Sequence, residues 1–146
     1  MFLKTEKLKM PRLNFPVRWQ AVLYRNYGMV GDDKLAQVLG TDTPTVRAEA
    51  AKLGLGKITY DPEWLNSGYI TIIRNNWFLL DCEQLAQLLG WTEEKLDYVI
   101  QEEDFLYVKL GNVKPFCEKV KYSPLSAREE EQTAAAAKIL NSCGEE

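Results

Sequence analysis

The sequence predicts a mainly α protein made of two tandem trihelical, helix-turn-helix-like units, followed by a short β element and a C-terminal helix. Two observations carry that expectation. Leu35-Ala36-Gln37-Val38-Leu39-Gly40 returns fifty positions later as Leu85-Ala86-Gln87-Leu88-Leu89-Gly90, with five of the six residues identical. Around both copies, apolar residues recur at helical spacing between N-capping residues and glycines. A repeat of this length is one supersecondary unit used twice, so each copy can be read against the other. Upstream, Tyr24-Arg25-Asn26 aligns with Ile73-Arg74-Asn75, one residue out of step with the rest.

The expected organisation is an N-terminal arm over 1–14, a first unit over 15–58, a second over 59–111 that ends in a short strand, and a tail over 112–146. In the first unit, Arg18 to Tyr27 reads as a helix with Trp19, Val22 and Leu23 on one stripe, ended by Gly28. Asp32-Asp33 opens a helix through Leu39, with acids at the dipole's positive end and Gly40 as a left-handed C-cap. Asp42 is placed to cap the third helix, where Pro44 is tolerated in the first turn and Val46, Ala50 and Leu53 face inward.

The second unit repeats the plan. Ser67 to Asn76 reads as its first helix, Asp81 caps a second through Leu89, Gly90 turns the chain, and Thr92 caps a third with Leu96, Val99 and Ile100 inward. The linker is Gly56 to Asn66. Units this small bury little surface alone, so Trp64, Trp77 or Trp91 is expected to cement them. Phe105 to Leu110 is rich in β-formers and reads as a strand or short hairpin, with Pro115 confining the partner to an edge. Ser126-Ala127-Arg128-Glu129 is a capping box opening a helix to about Leu140, which carries few large apolar residues and should dock weakly.

The composition narrows the function classes. Among 146 residues, 46% are hydrophobic and 27% charged, an ordinary globular balance. The chain has no histidine, which removes Ser-His-Asp and Cys-His nucleophile pairs and histidine-ligated zinc. Cys82, Cys117 and Cys143 show no C-x-x-C spacing and read as free thiols in a reducing cytoplasm. No apolar stretch approaches the roughly 20 residues of a membrane span, and charge near the start argues against a signal peptide. No catalytic constellation, cofactor or metal site is expected. The net charge of −3 conceals a division: ten Lys/Arg against five Asp/Glu in 1–60, and eight against sixteen in 61–146.

The motif with functional content is Leu35-Ala36-x-x-Leu39-Gly40 and the helix after it, the spacing of a DNA-binding helix-turn-helix. Its reading face would offer Thr43, Thr45, Arg47, Ala48 and Lys52, chemically suited to base edges and phosphates. The equivalent face of the second unit carries Glu93, Glu94, Asp97 and Tyr98 with Lys95 as its one cation, and a polyphosphate would repel it. DNA contact is therefore an expectation for the first unit only. Other signals are weaker. The tryptophans could stack on sugars but sit at core spacing, and Glu102-Glu103-Asp104 and Glu129-Glu130-Glu131 read as solvated or helix-end charge.

Three phrases resemble a known group: Met10-Pro11-Arg12-Leu13-Asn14-Phe15-Pro16-Val17-Arg18-Trp19, Tyr69-Ile70-Thr71-Ile72-Ile73-Arg74-Asn75-Asn76-Trp77, and Glu102-Glu103-Asp104-Phe105-Leu106-Tyr107-Val108-Lys109-Leu110-Gly111. They are similar to the N-terminal region of large bacterial proteins whose later part resembles glycoside hydrolases. That resemblance implies a non-catalytic accessory module preceding a barrel-like catalytic part, and it carries over no active-site residue. The chain would then be a piece or a stand-alone copy of such a region. The combined expectation is a non-enzymatic, cytoplasmic interaction module that docks a following domain or a protein partner. The alternative is a DNA-binding regulator using the first unit.

Overall fold

A computed structural model describes residues 5–6, 17–56, 58–102, 106, 110 and 114–144. It is mainly helical, as the sequence predicts. The first unit holds α1 (Arg18–Asn26), α2 (Asp32–Leu39) and α3 (Thr43–Lys52). The second holds α4 (Glu63–Ser67), α5 (Tyr69–Asn76), α6 (Cys82–Leu89) and α7 (Glu93–Glu102). The tail ends in α8 (Ala127–Gly144). Among the described residues, no helix is long and apolar enough to cross a membrane.

The local chemistry read from the sequence is in place. Asp42 accepts from the Thr45 N–H at 2.9 Å, Asp81 from Gln84 at 2.8 Å and Thr92 from Lys95 at 3.1 Å, each meeting a backbone donor of a helix start. Gly40 and Gly90 both take φ of 74°, the left-handed region that favours glycine, and close α2 and α6 identically. Ser126 and Glu129 exchange the two bonds of a capping box, at 2.9 and 3.2 Å.

The repeat holds at a constant offset of fifty. Val30 and Leu80 donate to the carbonyls of Asn26 and Asn76, and Thr41 and Trp91 to those of Ala36 and Ala86. This corrects the upstream alignment: Asn26 is equivalent to Asn76, not Asn75. The reason is physical. Asn26 and Asn76 are fully buried, and their side-chain amides bond each other reciprocally at 2.7 Å in both directions. The second donor of each goes four residues back, Asn26 to Val22 O at 2.8 Å and Asn76 to Ile72 O at 2.7 Å. Turning either amide over would set its oxygen against a carbonyl, so this orientation satisfies both groups.

Around that pair, like packs on like: α1 lies on α5 and α2 on α6. The two copies therefore meet in the self-complementary manner of a two-fold dimer, within one chain. Residues of both units form one continuous apolar core, including Val22, Leu23, Leu35, Ile72, Ile73 and Leu85. Tryptophan does less at this junction than expected. Trp91 packs against Tyr69 of its own unit in a tilted pair with ring centroids 5.5 Å apart, Trp64 is exposed, and Trp77 is buried beneath the tail. Polar groups cross instead: Arg18 donates to the Leu79 carbonyl, Arg25 to that of Asn75 at 2.9 Å, and Gln84 to that of Val38 at 3.2 Å.

Three other expectations change. The helix expected over Ser67–Asn76 is broken at Gly68, and a separate turn, α4, occupies the linker. The Trp64 ring lies against Gly68 so closely that a β-carbon would not fit. The strand expected over 105–110 is not seen where the chain is described: Leu110 donates to the Leu106 carbonyl at 3.0 Å, a helical bond, while Phe105, Tyr107, Val108 and Lys109 lie outside the described residues. Leu106 and Leu110 are both buried, and i,i+4 spacing is what puts two side chains on one side of a helical turn. The β element lies later, where β2 (Lys114–Pro115) pairs in parallel with β1 (Thr5–Glu6) of the arm. In a two-stranded pair both strands are edges, which suits Pro115.

The tail then crosses both units. Tyr122 N–H meets the Leu39 carbonyl at 2.8 Å, one of the orphan acceptors at the end of α2. Gln84 clamps Val120 from both sides, donating to its carbonyl at 2.7 Å and accepting from its N–H at 2.8 Å. Among its described residues, the last helix docks through Ala137 and through Thr133, whose hydroxyl accepts from Gln20 at 2.7 Å. Gln84→Ala should lower stability by about 1–3 kcal/mol because it orphans buried groups on Val38 and Val120. Gln87→Ala, at a half-buried position on the same helix, should cost under about 1 kcal/mol in the same urea titration.

Candidate functional site

The third helices of the two units present the faces singled out by sequence. Capping by Asp42 and burial of Val46 and Ala50 fix the roll of α3. Thr43 and Thr45 are left half-buried, and Arg47, Ala48 and Lys52 exposed. The five residues do share one helix, but its two cations are engaged. Arg47 Nε lies 2.8 Å from Asp32 Oδ2 in the first turn of α2. Lys52 Nζ sits 3.2 Å from Glu49 Oε1 and 3.3 Å from Glu130 Oε1 of α8. These carboxylates strengthen the proton affinity of both cations, Arg47 through the hydrogen bond it donates to Asp32 and Lys52 chiefly through the one it donates to Glu49. The Asp42 carboxylate at the helix start is held below its usual range by its hydrogen bonds to Thr45, so it stays charged.

Residues 1–60 hold ten Lys/Arg. Lys4, Lys7, Lys9, Arg12 and Lys57 fall outside the described residues. Of the remaining five, Arg18 and Arg25 are turned toward carbonyls of the second unit and the tail.

The fixed offset gives the equivalents on α7 one by one. Thr43 becomes Glu93, Thr45 becomes Lys95, Arg47 becomes Asp97, Ala48 becomes Tyr98 and Lys52 becomes Glu102. Lys95 lies over the Trp91 ring, 4.7 Å from its centroid. Glu94, Asp97, Tyr98 and Gln101 recur at i, i+3, i+4 and i+7 and line a shallow concavity of about 300 Å³. Gln101 donates to Asp97 at 3.1 Å, and Tyr98 is 63% exposed. This face is acidic with one large aromatic at its middle.

The acidic runs have local roles. Glu129 completes the capping box and Glu130 reaches Lys52. Glu102 ends α7, whereas Glu103 and Asp104 lie outside the described residues.

A second concavity, which the sequence did not reveal, lies where the tail meets α6. It holds about 380 Å³ and is lined by Asp81, Cys82, Glu83, Glu93 and the run from Lys114 to Cys117. Lys114 is only 1% exposed. Its ammonium donates to Trp77 O at 2.9 Å, to Pro115 O at 3.0 Å and to Cys117 Sγ at 3.5 Å, and lies 5.3 Å from the Trp77 ring centroid. Burial pushes the Lys114 amine below its ordinary range. Burial pushes the Cys82 thiol up to about 11. Lys119 stands nearby, bonded to Asp81 and Glu83 at 2.8 Å each. Nothing in the periodicity marks Lys114 as buried, because a lysine beside a proline reads as solvated edge chemistry.

Comparison with protein-family models, curated proteins and solved structures finds no match to this chain.

The Cys82 thiol should remain protonated well above neutrality. In a Cys117→Ser, Cys143→Ser background, alkylation by iodoacetamide at pH 8 should be slower than that of a free thiol, with half-ionisation near 11. Because its folded value is raised, the stability it contributes is complete below its unfolded value and is lost as pH climbs through about 11. Half-ionisation at or below the ordinary thiol range would contradict this.

Proposed function

We propose that the chain is a non-catalytic helical accessory module that docks a following, glycoside-hydrolase-like domain or a protein partner through the outer face of α7. One observation carries the reading. In register, Arg47 and Lys52 of the first copy are replaced by Asp97 and Glu102, while the first copy's own two cations are drawn onto Asp32, Glu49 and Glu130. The shared leucines, alanines and asparagines are buried, and the outer faces of the third helices have diverged. A duplicated nucleic-acid reader would need cations on both faces, since phosphate affinity comes from displaced counterions.

The α7 face suits a partner with basic groups around an apolar or guanidinium anchor. Exposed tyrosines supply large contact area at low entropic cost, and surrounding carboxylates speed encounter with an opposite charge. The resemblance to the N-terminal region of larger bacterial proteins supports a following domain as that partner, in a cytoplasmic setting.

The alternative is a DNA-binding transcriptional regulator using Thr43, Thr45, Arg47, Ala48 and Lys52. Its favourable observation is that the Arg47 side chain is 64% exposed, and solvent and salt screen a surface ion pair of this kind. Phosphate could displace Asp32 there.

The segment that follows residue 146 in the source gene, produced separately, should bind this chain in calorimetry. Tyr98→Ala should weaken that binding by about tenfold or more, and Glu94→Lys with Asp97→Lys should slow association. No association, or association untouched by Tyr98→Ala, contradicts the docking reading. Fluorescence anisotropy with mixed duplex DNA should show no binding at low salt. Binding abolished by Arg47→Glu would replace docking with the regulator reading.

A further inference from the structure

Lys114 and Cys117 stand apart from the docking face and have no part in the reading above. We propose that they form an oxidative modification site, at which hydrogen peroxide converts the Lys114–Cys117 contact into a covalent nitrogen–sulfur cross-link. Four observations converge. The amine nitrogen is already held 3.5 Å from the sulfur. Both residues line the partly open concavity of about 380 Å³, large enough to admit a small peroxide. Among the described residues, no carboxylate is ion-paired with Lys114; its partners are two carbonyls, a ring and a thiol. The amine's neutral form, which the reaction needs, is favoured by burial.

The chemistry balances in two steps. The Cys117 thiol reacts with hydrogen peroxide to give the sulfenic acid and one water; sulfur loses two electrons and the peroxide O–O bond is reduced. The ammonium of Lys114 releases its proton to water in the concavity, and the amine lone pair attacks sulfur. The S–N bond forms as the S–O bond breaks. The departing oxygen leaves as a second water, taking up a proton from the attacking nitrogen. Condensation of a sulfenic acid with a nitrogen is established cysteine chemistry, reversed when an external thiol attacks the sulfur. Cys82 stays out of the reaction because burial keeps it a thiol.

The cross-link has a structural consequence. The ammonium gives hydrogen bonds to Trp77 O and to Pro115 O, and a cross-linked nitrogen has only one N–H left for the two carbonyls. Oxidation would therefore loosen β2 from the end of α5.

Mass spectrometry of the full chain after peroxide treatment and tryptic digestion tests this. Lys114 precedes proline, so residues 110–119 stay in one peptide holding a single cysteine. The expected product is that peptide lighter by two hydrogen atoms, resistant to iodoacetamide and restored by dithiothreitol. It should persist in Cys82→Ser and be lost in Lys114→Gln and in Cys117→Ser. Persistence in Cys82→Ser keeps the test informative even where Lys114→Gln does not fold. The proposal is overturned if peroxide yields only oxygen adducts on Cys117, a disulfide joining Cys82 to Cys117, or an unmodified peptide.

Discussion

The buried amide pair of Asn26 and Asn76 is the constraint on which the rest of the architecture depends. Each side chain has two donors and one strong acceptor, and all are met only when the two asparagines face each other across α1 and α5. A buried amide left unpaired would cost about 1–3 kcal/mol, so sliding one unit against the other by a single residue is penalised twice. Apolar packing alone would tolerate such slips, since leucine and isoleucine faces are interchangeable. The amides turn a generic hydrophobic contact into a unique register. Arg18, Arg25 and Gln84 then reach backbone carbonyls that only this register brings within range.

With α2 against α6 and α1 against α5, the inner faces of the repeat are committed. The third helices are left to diverge. On α3, nearby carboxylates absorb the positive charge, and α8 approaches to contribute Glu130. On α7 the same positions become acidic and gain Tyr98. The tail acts as a strap over the shared core, fastened by Gln84 at Val120, by the Leu39 carbonyl at Tyr122 and by the buried amine of Lys114 at Trp77. Lys114 is an unusual fastener, because a desolvated amine with no ion-paired carboxylate among the described residues is both costly and chemically available. The same residue thus carries the structural role and the proposed reactivity.

Much of this was legible in the sequence because it is governed by local rules. Helix starts at Asp42, Asp81, Thr92 and Ser126, left-handed turns at Gly40 and Gly90, and the inward stripes of α2 and α6 follow from spacing and capping chemistry. What was not legible depends on contacts distant along the chain. The Asn pairing is invisible to periodicity, and without it the upstream alignment slips by one. The break at Gly68 depends on where the Trp64 ring falls. The burial of Lys114 depends on Trp77, 37 residues away, and the parallel pairing of Thr5–Glu6 with Lys114–Pro115 joins segments more than a hundred residues apart. On the α3 face, the sequence named the residues but not their partners, because Asp32 and Glu130 come from other helices.

A double-mutant cycle on the amide pair, read by urea denaturation, tests this account most directly. Asn26→Ala and Asn76→Ala should each cost about 1–3 kcal/mol, and the double variant should be less destabilised than their sum by about 0.5–3 kcal/mol. Costs that add to within about 0.3–0.5 kcal/mol would mean that the two amides do not act together, and would contradict the claim that they set the register of the repeat.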